Sequence, residues 1–129
     1  MKVSPEINPE TDLTVDVTDL TTEFRKLPHM LFAYYKLKAD AEKSRDIAKA
    51  RLREAKAKAY KTIKADTSQK HTEKGMEAEI DTDPLVLKAF GALIQAEHDV
   101  STWIGAVDSM KAKKDCLIQL GSDRRKEIS

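Results

Sequence analysis

The sequence is poor both in residues that break helices and in residues that fill a thick core. Aromatic residues make up 5% of its 129 positions, and glycine and proline number four each. Cys116 is the single cysteine, which excludes a disulfide framework within one chain and favours a reducing compartment. No apolar run is long enough to span a bilayer, and no signal peptide is evident. With 35% charged residues, these absences predict thin, paired helices in a single cytoplasmic domain that does not associate with membranes.

The clearest pattern runs through residues 83–120, where apolar positions follow alternating steps of three and four with a polar gap at Lys114. These positions are Val86, Ala89, Leu93, Ala96, Val100, Trp103, Val107, Met110 and Leu117. A period of 3.5 is typical of a helix that packs along other helices. Pro84 suits a first helical position, Asp83 or Thr82 can cap it, and Gly121 offers a left-handed stop. We therefore predict a helix over 84–120 whose apolar side is covered by the rest of the chain or by another copy.

A second helical pattern covers residues 29–64. Its apolar side shifts position midway and comprises Tyr34, Leu37, Ala41, Ser44 and Ala48, then Leu52, Ala55, Ala59 and Ile63. Residues 19–26 indicate a short helix that Pro28 ends or kinks. The polar connection over 65–82 has Gly75 as its break, and residues 76–80 fit either a strand or a helical turn.

Together these patterns predict an all-α fold, a long antiparallel helical hairpin with a short N-terminal helix and coiled-coil-like packing in a homo-oligomer. The hairpin domain spans 18–121, after an acidic flexible tail over 1–17 and before a charged tail over 122–129. Two helices bury one stripe each, so further apolar residues remain to meet other copies. The extra positions are Leu31, Phe32, Phe90, Ile94, Ile104 and Ile118, and the predicted oligomer interface is Phe90, Leu93, Val100, Trp103, Ile104 and Val107.

No arrangement typical of catalysis is present, so we do not expect an enzyme, a cofactor or a metal. His29, His71 and His98 are scattered, and none has a second ligand at metal-binding spacing. The chain also lacks a glycine-rich phosphate loop.

Charge is distributed unevenly along the chain. Residues 1–24 carry six carboxylates against Lys2, whereas residues 43–64 carry nine cations against Asp46 and Glu54. Lysine and arginine neutralise phosphates without reading sequence, and a nearby aromatic ring can stack on a base. The predicted nucleic-acid-binding residues are Lys49, Arg51, Arg53, Lys56, Lys58, Tyr60, Lys61 and Lys64. The competing interpretation is a solvated helix face that only keeps the protein soluble, although such a face usually mixes charges of both signs.

Several stretches resemble the family of the phage recombination mediator UvsY. They are Asp83, residues 86–88 (Val-Leu-Lys), Leu93, residues 105–106 (Gly-Ala), Asp108 and Lys111 on the second helix, residues 73–74 (Glu-Lys) and Met76 before it, and residues 30–31 (Met-Leu). The family also has a Lys-Ala-Arg-Leu stretch followed by tyrosine that is tied to DNA binding. Residues 49–52 match it by letter and residues 56–60 match it by distance to the second helix, so both remain candidates. The likeness covers residues 29–120, but the connection is shorter here and the acidic start has no counterpart.

The resemblance implies a small, ring-forming homo-oligomer that binds single-stranded DNA in the cytoplasm, which is the host cytoplasm if a phage encodes it. Such proteins act in DNA recombination and repair: they help a RecA-like recombinase load in place of single-strand-binding protein. The alternative function is a structural helical-hairpin scaffold or assembly chaperone with no role on nucleic acid.

Overall fold

The computed structural model describes residues 7–66 and 72–128, and within these ranges it is all-α without a strand. The helices are α1 (Pro9–Asp12), α2 (Leu20–Ala65), α3 (Glu73–Thr82) and α4 (Pro84–Ile128). The two long helices pack together as a hairpin, which confirms the predicted fold class. The described residues leave out three parts of the chain: residues 1–6 of the predicted tail, residues 67–71 of the connection, which include His71, and Ser129.

The hairpin divides into two compact units, and each has its own core. Unit 1 comprises residues 1–40 and 101–129, and unit 2 comprises residues 41–100. The core of unit 1 is bulky and contains Leu20, Leu27, Tyr34, Val107, Met110 and Leu117. The core of unit 2 is smaller and contains Leu52, Ala59 and Val86, with Ala55, Ile80, Ala89 and Leu93 packed against it.

The heptad pattern predicted the buried side of α4. All nine positions of that pattern are buried or half-buried. The cation that enters the core is Lys113, however, and its neighbour Lys114 at the predicted gap is half-buried. On α2 the predicted apolar side is also buried or half-buried, except for the exposed Ser44. The midway shift of that pattern coincides with the passage from unit 1 to unit 2.

Pro28 does not end a helix, so the prediction of separate helices over 19–26 and 29–64 was wrong. It lies inside the continuous helix α2. Leu27 is buried in the core of unit 1 and Leu31 packs against that core, while Pro28 is exposed. Tertiary packing on both sides of the proline thus outweighs the backbone hydrogen bond that its missing N–H forfeits.

Gly121 does not stop α4, which continues to Ile128 through most of the predicted charged tail. No described glycine has a positive φ. A Cβ atom on Gly121 would lie 3.4 Å from the Phe24 ring, so the missing side chain there serves close packing. Arg125 and Lys126 in the last turn offset the negative end of the helix dipole.

The connection contains a helix, which decides the open choice for residues 76–80. In α3 the Thr72 hydroxyl accepts a hydrogen bond from the Gly75 N–H at 3.1 Å. Gly75 therefore lies in the first helical turn and does not break the connection. Ile80 packs against the core of unit 2.

Residues 7–17, predicted as part of a flexible tail, form a strap that packs on unit 1. Asn8 caps the short helix α1, where its side chain accepts a hydrogen bond from the Glu10 N–H. Ile7, Leu13 and Val15 pack against the core of unit 1. The sequence predicted an acidic flexible tail here, but Leu13 and Val15 pack against the core that α2 and α4 form in unit 1.

A buried polar cluster fastens this strap to unit 1. The Lys113 ammonium group donates a hydrogen bond to the Asp12 carbonyl oxygen at 2.6 Å and lies 3.1 Å from Glu23 Oε2. The Tyr34 hydroxyl donates to Asp12 Oδ2 at 2.8 Å. Burial, together with this hydrogen bond, raises the pKa of Tyr34 above its usual range. The Arg124 guanidinium also donates to the carbonyl oxygen of Val17.

Candidate nucleic-acid interface

All eight predicted nucleic-acid-binding residues lie on α2 within unit 2, and all eight are exposed. Alanine, lysine and arginine dominate this part of α2, and they are among the strongest helix formers. Small residues such as Ala48 and Ala59 are buried beneath the cations. The helix therefore holds its charged side chains in solvent on a regular frame.

Five of these residues form a row along one side of α2, which we call the basic row. Steps of four, three, four and four place them near one another on the helix surface. The basic row consists of Lys49, Arg53, Lys56, Tyr60 and Lys64. Arg51, Lys58 and Lys61 point to other sides of the helix, so the structure splits the predicted set into two groups.

The surroundings of these cations differ. Lys58 forms an ion pair with Glu54 at 3.0 Å one turn earlier, and both side chains are largely exposed, so solvent screens the pair. In the basic row, the Lys64 ammonium group lies 5.5 Å from the centroid of the Tyr60 ring and 3.5 Å from its hydroxyl. This contact holds a cation beside an exposed aromatic ring.

A shallow groove of about 270 Å³ borders the basic row. It is lined by Lys56, Asp81, Val86, Leu87 and Phe90. Leu87 and Phe90 are exposed one turn apart on α4, and they bring a second aromatic ring next to the cations of α2. Sequence reasoning assigned Phe90 to self-association, because no sequence pattern shows which α4 residue lies beside Lys56.

A larger groove of about 660 Å³ lies elsewhere on unit 2, and small side chains account for its width. It is lined by Ser44, Ile47, Ala48, Arg51, Leu85, Lys88, Ala89, Ala92, Gln95, Ala96 and Asp99. Arg51 thus borders this groove together with Lys88 and Asp99. The Lys-Ala-Arg-Leu stretch of residues 49–52 consequently spreads over more than one surface.

Four of the six residues of the predicted oligomer interface are buried or half-buried within the chain. Val100 and Val107 are buried within the chain, and Leu93 is half-buried against the core of unit 2. Trp103 is half-buried, and its ring meets the Tyr34 ring edge-on with centroids 6.1 Å apart. The hairpin itself uses these four side chains, because the same heptad stripe that suits self-association also closes the hairpin.

Exposed apolar side chains remain, and they lie off the heptad stripe as predicted. Phe90 and Ile104, both assigned to the interface, are exposed. The other predicted positions divide: Phe32, Ile94 and Ile118 are exposed, whereas Leu31 packs against the core of unit 1.

Within residues 7–66 and 72–128, no group of three or more His, Cys, Asp or Glu side chains could hold a metal ion. None of the described helices combines the length and the apolar character that a membrane crossing requires. No protein-family model, curated protein or solved structure matches this chain.

Proposed function

We propose that this protein binds single-stranded DNA as a homo-oligomer and promotes the loading of a RecA-like recombinase in place of single-strand-binding protein. The observation that carries the proposal is the basic row of unit 2, where four cations and Tyr60 share one exposed side of α2. The resemblance of residues 29–120 to the UvsY family supplies the step from strand binding to recombination.

The basic row suits the sugar–phosphate backbone of a single strand. Each cation that neutralises a phosphate releases a condensed counterion, and this release favours binding at low salt. Tyr60 offers a ring on which any base can stack. Such contacts carry no sequence information, so the protein would bind strands of any sequence.

One row of four cations makes a modest site, and repetition in an oligomer would strengthen it. Linked copies convert later contacts into intramolecular ones, which raises the overall affinity without a new kind of contact. Exposed apolar residues such as Phe90 and Ile104 are available for contacts between copies. A mediator of this kind needs no catalytic group, because strand binding alone can displace a competitor.

A scaffold or assembly chaperone is the second candidate, and a specific observation favours it. The helix α3 is acidic: it carries Glu73, Glu77, Glu79 and Asp81 against Lys74. Asp81 lines the same groove as Lys56. Carboxylates so close to the cations reduce the local positive potential. In this alternative the cations of α2 only solvate the hairpin.

The decisive experiment compares two triple variants of the same helix. The basic-row variant removes three of the four cations of the row by Arg53→Ala, Lys56→Ala and Lys64→Ala. The other variant removes the three predicted cations outside the row by Arg51→Ala, Lys58→Ala and Lys61→Ala. All six residues are exposed, and alanine is the best helix former, so circular dichroism should show folded protein in both cases.

Anisotropy of a labelled oligothymidylate across a salt series is the readout. We expect the basic-row variant to bind more weakly and to lose about 2 from the log–log salt slope, at about 0.7 per phosphate contact. The matched variant should keep most of its affinity and most of its salt slope. Equal losses of affinity in the two variants would mean that DNA contacts cations on all sides of the helix and not the basic row in particular. If the unchanged protein does not bind at low salt, the scaffold is the better-supported function.

The mediator step and the assembly need their own measurements. The protein should shorten the lag in strand-dependent ATP hydrolysis by a RecA-like recombinase on DNA coated with single-strand-binding protein, and the basic-row variant should not. Sedimentation at micromolar concentration should show more than a dimer. A monomer would contradict the assembly claim.

A further inference from the structure

A 16-residue stretch of α2 in unit 1 has a composition that the proposed function does not use. Residues 24–39 contain four lysines and arginines and one histidine, and no carboxylate interrupts them. The stretch also contains four of the seven aromatic residues of the chain, namely Phe24, Phe32, Tyr34 and Tyr35. The acidic residues Glu23 and Asp40 stand immediately outside it.

Three of these four rings lie at the surface. Tyr34 is completely buried, whereas Phe24, Phe32 and Tyr35 are 38%, 65% and 42% exposed. Large aromatic side chains normally supply a core, and a group of them left in solvent marks a site of interaction. In a chain with so few aromatic residues, their clustering on one stretch of helix needs a reason.

One exposed ring lies between polar and charged side chains along the helix surface. Arg25, His29, Phe32 and Lys36 follow steps of four, three and four on the side of α2 opposite the core of unit 1, and Lys36 is half-buried whereas the other three are exposed. Phe24 and Tyr35 lie on the adjoining side, next to α4. We call these six residues the aromatic–basic face.

Contacts with α4 fix two rings of this face. The Phe24 ring packs at the Cα of Gly121, where a Cβ would be 3.4 Å from it. The Lys111 ammonium group lies 5.4 Å from the centroid of the Tyr35 ring. The hydrogen bond with Tyr35, and to a lesser extent the charge of Asp108, raise the pKa of Lys111, whose ammonium group is a further cation beside the face. A ring held by its neighbours loses little conformational entropy when a ligand stacks on it.

Concave space next to the cations can receive a backbone. Arg25, Lys26 and His29 line a groove of about 440 Å³ that the strap residues Ile7 and Asp12 close on the other side. Both Asp12 carboxylate contacts are within the fold, to the Tyr34 hydroxyl and the Asn8 N–H. Asp12 therefore lies at the edge of the aromatic–basic face and does not divide it.

We propose that the aromatic–basic face of unit 1 is a second binding site for single-stranded nucleic acid, with bases stacked on Phe32 and Tyr35 and phosphates on Arg25 and Lys36. An apolar surface alone would fit a protein partner equally well. The cations of residues 24–39, with no carboxylate between them in the sequence, favour a polyanion. Exposed rings gain from unpaired bases but not from a duplex, whose bases are already stacked. The inference shares its ligand with the proposed function and rests on it for that choice, but it uses different residues in a different unit.

The test measures oligothymidylate affinity for the full chain with Phe32→Ala and with Phe32→Leu. Phe32→Ala should weaken binding by about five-fold or more, since one stacked base is lost, and should leave the salt slope unchanged. Phe32→Leu should be equally weak, because leucine keeps apolar area but has no π face. A duplex of the same length should bind all three proteins alike.

The cations are tested by Arg25→Gln with Lys36→Gln, which should lower the salt slope by about 1.4 for two phosphate contacts. Arg125→Gln, an exposed cation at the end of α4, is the control and should change little. Ultraviolet crosslinking to a bromodeoxyuridine oligonucleotide, followed by peptide mapping, should mark the peptide that contains Phe32 as well as the one that contains Tyr60.

The outcomes separate the two proposals. If the basic-row variant loses affinity while Phe32→Ala does not, and crosslinks fall only near Tyr60, the second site is overturned and the proposed function stands. If Phe32→Ala instead shifts the sedimentation of the protein, the aromatic–basic face is a contact between copies and the inference is overturned. If the unchanged protein binds no oligonucleotide, both proposals fall.

Discussion

Lys113 provides the sharpest test of how unit 1 is held together, because it is the one buried charged residue among those the structure describes. Its side chain is only 4% exposed and that of Glu23 is 14% exposed, so solvent screens their ion pair very little. Substitution by methionine keeps most of the aliphatic volume and removes the ammonium group. Glu23 Oε2 has no hydrogen-bond partner, so the variant would bury a carboxylate without its counter-charge.

The expected cost is large for this reason. Breaking a buried ion pair from one side costs about 3–5 kcal/mol, mainly because the remaining charge is left uncompensated. The Asp12 carbonyl oxygen also loses its donor. A loss of this size corresponds to a fall in Tm of roughly 10–20 °C for a chain of this length. It is a substantial fraction of the whole stability of a typical domain.

The assay is urea unfolding followed by the fluorescence of Trp103, the single tryptophan, which lies in unit 1. Lys113→Met combined with Glu23→Gln should recover at least about half of the loss, because both charges are then gone. Lys26→Met, which removes an exposed cation of the same unit, should have little effect. A cost below about 1 kcal/mol for Lys113→Met, or no recovery in the double variant, would refute a stabilising role for the buried Lys113–Glu23 ion pair.

Three further substitutions test unit 1. Tyr34→Phe should cost about 1–2 kcal/mol through the lost hydrogen bond to Asp12. Because the folded pKa of Tyr34 is raised, its contribution is present below pH of about 10 and is lost as the pH rises further, so the Tm difference between wild type and variant should shrink above that pH. Pro28→Ala should raise the free energy of unfolding by up to about 3 kcal/mol, and unchanged urea midpoints would contradict a proline inside α2. Trp103→Ala should cost about 2–3 kcal/mol, below the value for a fully buried ring, and calorimetry would show it.

The sequence was informative about the fold where packing follows helical periodicity. The apolar sides of α2 and α4 followed from steps of three and four, because a buried stripe must recur at that spacing on a helix. Element ends were less predictable. Pro28 and Gly121 are intrinsic helix breakers, but each has tertiary contacts beside it that outweigh propensity. No local pattern in residues 7–17 could show that they pack on helices far away in sequence.

The candidate site was predictable as a set of cations on a helix, and the spacing alone indicates that Lys49, Arg53, Lys56 and Lys64 share one side. Composition identified the cations of residues 43–64, and the helix then places Lys56 and Tyr60 on the same side. Phe90 and Lys56 line the same groove because of the way α4 packs against α2. No residue spacing within one helix can reveal this arrangement. Val100 and Val107 of the predicted interface are buried within the chain for a related reason: a heptad stripe is the same whether it meets its own chain or another copy.

The two units differ in whether the residues that carry surface charge also stabilise the structure. Unit 1 relies on large buried side chains and on the Lys113 cluster, so its surface rings can be replaced without touching its core. Unit 2 has a core of small side chains, and its part of α2 stays helical largely because alanine, lysine and arginine favour that state. The residues that carry positive charge there also maintain the helix. Replacing them by alanine removes the charge and preserves the helix, whereas glycine at the same positions would remove both. The comparison of alanine and glycine at Lys56 therefore separates a loss of DNA contact from a loss of structure.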